Sequence, residues 1–185
     1  MTSSATNPLD PGQVRRQTYL ALFTALAITV HTLEVLLPSP VPWFRLGLAN
    51  VLTVVILFLY DSRAAWSLTL MRIGLGALLL GRLFSPGFWL SLAGGILATL
   101  LMCLARRHCG PLFSPVGISV IGATGHAVGQ FLVAWAIVIQ HEAIWKIFPI
   151  FLFTSVAAGL LTGWMAAVLL NYLMAHPVFS SKTNG

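Results

Sequence analysis

From Tyr19 onward the chain alternates long apolar runs with short polar or proline-bearing breaks. The runs cover Tyr19 to Leu37, Leu46 to Tyr60, Ala64 to Gly81, Phe88 to Ala105, Val116 to Ile139 and Ile147 to Ala175. A helix needs about 20 apolar residues to cross the hydrocarbon core of a bilayer. The runs therefore predict an all-α, polytopic membrane protein: one bundle of six transmembrane helices over 17–175. A polar tail, 1–16, precedes the bundle and a second tail, 176–185, follows it. The breaks carry turn and start signals, among them Asp61-Ser62-Arg63, "RLFSPG" and "RRHCGPLFSP". The second run is short, as in a tilted or partly buried helix, and the sixth is long enough to tilt.

Composition agrees with this pattern. Only 8% of the 185 residues are charged and 58% are hydrophobic, whereas a soluble domain carries roughly 25% charged residues. Mean hydropathy is +0.91. The net charge of +6 comes from scattered basic residues and does not form a nucleic-acid footprint. Six spans bring both termini to one side. With that side inside, it holds Arg15, Arg16, Arg63, Arg106, Arg107 and Lys182; the other holds Arg45, Arg82 and Lys146. The inner excess predicts an N-in, C-in orientation. Cys103 and Cys109 then lie near the reducing side and read as inert thiols, with no metal site. A cleavable signal peptide is not expected, because the first apolar run is too long for one. The chain contains no phosphate-binding loop of the Walker type.

Polar residues within the runs are the candidate chemistry. An Arg at mid-span costs roughly 2.5–3.5 kcal/mol on insertion scales, so such residues point to a site by default. At about 1.5 Å per residue, Arg72 and His126 reach similar depths near the midplane, and Gln130 stands one turn further out on the His126 face. Asn50 lies in the first turns of the second run, and His31 and Glu34 lie near the outer end of the first. Glu34 is placed about 10 Å or more above Arg72, so Arg45 or Arg82 is its better-placed partner. Arg72 must then satisfy its donors on carbonyls, on polar neighbours or on an anion. Arg45, Asn50, Arg72, His126, Gln130, Glu34 and Arg82 form the candidate substrate-binding set, suited to a small anion such as a phosphate or carboxylate.

Structural readings stand beside these. His126 and Gln130 sit among Gly122, Gly125 and Gly129, where polar side chains serve as interhelical glue. Arg45 and Arg82 can snorkel at the interface, and His31 with Glu34 can simply tie the first helix to its neighbours. In "LALFTALA", Ala21 and Ala25 form a small-xxx-small pair that Thr29 continues; such a face packs within the bundle or onto a partner's helix. Gly94 and Gly95 mark close helix contact without evident chemistry.

The segment "RLGLANVLTVVILFLYDSRAAWSLTLMRIGLGALLLGRLFSPGFWLSLAGGILATLLM", followed by "FSPVGISVIGATGHAVGQFLVA", resembles the Gx transporter family of bacterial membrane proteins. That family is also labelled heptaprenyl diphosphate synthase component I. The resemblance covers roughly Tyr19 to Leu170. The family is in turn similar to the substrate-binding subunits of energy-coupling-factor transporters. That similarity implies a six-helix subunit of the bacterial inner membrane that captures a vitamin-like micronutrient from outside under a lid formed by the first outer loop. It further implies docking through Ala21 and Ala25 onto a transmembrane coupling protein with two ATPases. Arg45, Asn50 and Arg72 would contact the substrate. No cofactor is expected. The alternative is a membrane accessory component for prenyl diphosphate or quinone synthesis. Catalysis of prenyl elongation is not expected of this chain itself: that chemistry holds magnesium on clustered aspartates, and the two aspartates here, Asp10 and Asp61, are far apart.

Overall fold

The computed structural model describes residues 11–36 and 47–176. The described chain is helical, with no strand. Six helices follow in order: α1 (Pro11–Leu36), α2 (Leu48–Leu59), α3 (Ser62–Leu79), α4 (Pro86–Cys109), α5 (Pro115–Val133) and α6 (Phe148–Ala175). A π-helical turn, Ala134–Ile139, continues α5, and short 3-10 turns cover Gly110–Leu112 and Glu142–Lys146.

Local chemistry explains where the helices begin. Asp61, Ser85 and Ser114 each accept a hydrogen bond from the backbone amide three residues on, at Ala64, Phe88 and Gly117. These are N-caps that satisfy amides left open at a helix start. Pro86 and Pro115 occupy the first helical positions, where a missing N–H costs nothing. The end of α3 is a Schellman motif: Gly81, at φ 62°, donates to Leu78, while Arg82 donates to Ala77.

Four segments are long and apolar enough to cross a membrane: Gly12–Leu36, Pro86–Cys109, Pro115–Ile139 and Phe148–Ala175. Helix α2 is different. Its 12 residues span about 18 Å, short of the roughly 30 Å hydrocarbon core. It is apolar on all sides and buried on all sides, with Val51 to Leu57 each inside, as expected of a core helix. It touches α1, α3, α4, α5 and α6 and so forms the central post of the bundle. Helix α5 packs closely against α4 and α6. At Gly129 an added Cβ would stand 2.7 Å from the Ala93 carbonyl oxygen, which requires glycine there. Buried hydroxyl pairs, Thr69 with Thr99 at 3.0 Å and Ser119 with Thr162 at 2.9 Å, tie α3 to α4 and α5 to α6.

Helix α1 is the outermost element and begins at Pro11, ahead of the Tyr19 start expected from hydropathy. Helix propensity and an N1 proline allow its first turns to form in a polar, exposed stretch. Arg16 reaches Asp61 at 2.5 Å, fixing the start of α1 beside the start of α3. We call this end of the bundle proximal and the end near Leu36, Gly81 and Lys146 distal. Leu37 and Leu46, the proline-rich loop between them and Arg45 lie outside the described residues, as do most of both predicted tails.

Candidate functional site

Arg72 sits in the middle of α3 with its side chain 3% exposed. Both of its terminal nitrogens donate to Asn50 Oδ1, each at 3.2 Å. Asn50 occupies the first turn of α2, so one neutral amide oxygen receives two arms of a buried guanidinium. The third donor, Nε, is buried with no hydrogen-bond partner. Arg72, Asn50, His31, Glu34, Ser91 and His126 line one small cavity of about 20 Å³, room for about a single water.

Among the described residues Glu34 makes no ion pair with Arg82, and Arg45, its other expected partner, lies outside them. Glu34 Oε1 accepts from the Leu48 amide at 2.8 Å. Gly47, at φ 70°, precedes α2 and has no side chain to cap it. Glu34 therefore supplies from α1 the acceptor that the N-terminus of α2 lacks, where a negative charge is favoured. Glu34 and Arg72 face the same cavity. Among the described residues no carboxylate stands within ion-pair distance of Arg72.

His126 and Gln130 share a face of α5, as their spacing predicts, and both rest on Gly94 of α4. A Cβ at Gly94 would stand 2.8 Å from Gln130 Cγ and 2.9 Å from His126 Cε1. The two side chains then diverge. His126 faces the Arg72 cavity, whereas Gln130 lines a separate apolar chamber. His31 is seated in the same way over Gly76 of α3, 3.0 Å from where a Cβ would lie.

Arg82 is exposed at the distal rim, held there by the Schellman turn. It overhangs a third cavity, of about 50 Å³, whose wall includes His31, Ser85, Phe88 and Ser91. Arg45 lies outside the described residues, so the expected set is brought together only in part. Arg72, Asn50, Glu34 and His126 converge, Arg82 guards the adjoining mouth, and Gln130 belongs to the chamber beyond.

The chamber is the roomiest of these spaces, about 280 Å³, between α4, the end of α5 and the start of α6. Leu90, Phe131, Val138, Ile144 and Phe151 are among its walls, and its polar lining is confined to Ser91 and Gln130. Ring contacts of Phe131 with Trp145 and Phe148, at 5.1 and 4.6 Å between centroids, brace its distal side. Ser91, 7% exposed, forms part of the wall of all three cavities. Sequence reading passed over Ser91. The available signal was its place one turn before Gly94 and Gly95, on the face those glycines open.

Ala21, Ala25 and Thr29 are all exposed on α1, so packing inside the bundle does not absorb this small-residue stripe. Cys103 and Cys109 are free thiols. Among the described residues no group of three His, Cys, Asp or Glu side chains is placed to hold a metal ion.

A family model described as heptaprenyl diphosphate synthase component I matches residues 23–169, which includes every helix from within α1 to near the end of α6. No curated protein and no solved structure matches the chain. The comparisons thus carry the synthase-component label and not the similarity to importer subunits.

Proposed function

The chain belongs to the heptaprenyl diphosphate synthase component I family, and from that premise we propose that it is the membrane-embedded component of a prenyl diphosphate synthase. In this reading it holds the anionic end of a prenyl diphosphate while a separate component carries out chain elongation. The observation that carries the reading is Arg72: a guanidinium 3% exposed, with one neutral acceptor and an unpartnered Nε, set behind a mouth overhung by Arg82. A cation this costly to insert is retained where an anion benefits from it. Elongation is assigned to the partner because this chain's four acidic residues include no aspartate cluster for magnesium diphosphate. We further read the six helices as one membrane-embedded bundle, N-in and C-in, in a bacterial inner membrane, with α2 enclosed by the others. In that orientation the basic proximal end faces the cytoplasm and the arginine-lined mouth opens at the other surface.

The test is purification from the native membrane in mild detergent. A co-purifying soluble prenyl synthase, with elongation activity reduced at least tenfold by Arg72→Ala, is the expected result. A complex devoid of any prenyl synthase would sink the reading.

One observation favours a second reading, the capture subunit of an energy-coupling-factor importer for an anionic micronutrient. Ala21, Ala25 and Thr29 stand exposed along α1, where a coupling protein's helix would pack closely. Co-purification of a transmembrane coupling protein with two ATPases would move the assignment there.

A further inference from the structure

Resting on the synthase-component reading, we infer that the chamber between α4, α5 and α6 is a tail compartment, and that the ligand is an isoprenoid amphiphile bound across it and the arginine-lined mouth. The polar cavities are small, about 20 and 50 Å³. The chamber beside them holds about 280 Å³, near the lower end of pockets that take small molecules, roughly 300 Å³ upward. A site for a free anion has no use for that apolar volume. A site for a bare hydrocarbon has no use for a buried guanidinium next door. One molecule with a charged head and a branched apolar tail uses both.

The compartments adjoin one another. Ser91 belongs to all three walls, and Gly87 to the mouth and the chamber. A head held under Arg82 therefore leaves its tail directed past Gly87 and Ser91 into the chamber. The residues lining the tail path are those a branched hydrocarbon packs against: Leu90, Phe131, Ile144 and Phe151. The far wall is built by the π-helical turn, Ala134–Ile139, which turns Ala134, Val138 and Ile139 onto the chamber. Single widened turns of this kind recur at ligand sites. The turn ends at Gln140, whose φ of 46° reverses the chain into the segment that carries Ile144 back over the cavity. Gly94 completes the arrangement by letting His126 and Gln130 lie side by side, one toward the head region and one toward the tail.

The test uses the full chain in nanodiscs and three probes: inorganic pyrophosphate, farnesyl diphosphate and farnesol. Farnesyl diphosphate should bind at least tenfold more tightly than either of the others. Leu90→Trp and Ile144→Trp, which fill the chamber, should each remove most of that advantage while leaving pyrophosphate affinity within about twofold. Equal binding of pyrophosphate and farnesyl diphosphate by the unaltered protein would overturn the tail compartment. Equal binding of farnesol would overturn the head assignment, and absence of binding would overturn both. Should the filled variants fail to fold, a photoactivatable farnesyl diphosphate on the unaltered chain decides instead. Crosslinks to peptides bearing Leu90, Ile144 or Phe151 support the inference, and crosslinks confined elsewhere refute it. Amphiphile binding without a synthase partner would reject the previous proposal and leave this one standing; a synthase partner with head-only binding would do the reverse.

Discussion

Arg72 of α3 and Asn50 of α2 are joined twice, both terminal guanidinium nitrogens donating to the single oxygen Asn50 Oδ1 at 3.2 Å. The joint holds the short central helix to its neighbour and also sets the cation's position in the cavity. Removing the acceptor strands a buried charge, an effect of about 3–5 kcal/mol. Asn50→Leu should therefore lower the unfolding temperature in detergent markedly. The double variant Asn50→Leu, Arg72→Met should recover much of the loss. A double variant no more stable than Asn50→Leu would show that the pair does not act as a unit.

Arg72→Ala should insert and fold, because it removes the charge together with its demands, yet lose binding of farnesyl diphosphate by tenfold or more. Calorimetric titration in nanodiscs measures this directly. Undiminished affinity would take Arg72 out of the site.

Glu34 caps α2 from across the interface with α1, at 2.8 Å from the Leu48 amide. Glu34→Ala leaves that amide open and should cost about 1 kcal/mol, typical of a lost N-cap. Glu34→Gln keeps an acceptor and should cost less. Hydrogen exchange at Leu48 and Ala49 is the local readout, and equal protection in both variants would argue against the cap.

A methyl group at Gly94 would meet Gln130 Cγ and His126 within 2.9 Å. Gly94→Ala should destabilise by about 1–3 kcal/mol, the range for overpacking, and should perturb mouth and chamber together. Thermal unfolding and farnesyl diphosphate titration of the same preparation check both effects; a neutral result in both would mean that the two side chains yield freely.

Asp61 caps α3 and pairs with Arg16 at the proximal end, outside the apolar spans. The hydrogen bond from the Ala64 amide, foremost, and the nearby Arg16 hold its carboxyl below the ordinary value of 3.8. A lowered folded-state pKa means that its contribution is complete above about pH 4 and fades as pH falls through the folded value. Both side chains of the pair are more than 40% exposed, so solvent screening limits the pair itself to under about 1 kcal/mol. The unfolding temperature of Asp61→Ala should lie below that of the unaltered protein at pH 7, and the gap should narrow toward pH 3. A gap independent of pH would assign the effect to shape alone.

Much of the architecture was legible in the apolar runs. The helix starts fall close to expectation at α3, α4 and α5, because Asp61, Ser85-Pro86 and Ser114-Pro115 state in sequence where a helix can start. Helix α1 starts well ahead of its apolar run, since hydropathy reports the greasy part of a helix and says nothing of polar turns ahead of it. The candidate site was half legible. Arg72, Asn50 and His126 stand out as polar groups in apolar runs, and they do share a cavity. Glu34 stood out for the same reason, but its contact with the Leu48 amide was not legible in the sequence.

What the sequence determined by itself is the all-helical, membrane-type character of this chain and the identity of its costly residues. Charge content and run length alone point to helices of the membrane-spanning kind, and an arginine amid apolar residues is conspicuous in them. The tertiary structure decided the rest. It made the shortest apolar run the central post, because 12 residues buried on every side need neighbours and not lipid. It turned Gln130 away from His126's cavity and brought Ser91, unremarked in the sequence, to the wall common to head and tail spaces. Cavities belong to the gaps between helices, and the size of a gap depends on how closely glycines such as Gly94 and Gly129 let two backbones approach. That distance is a property of a pair of helices, which no single run of residues encodes.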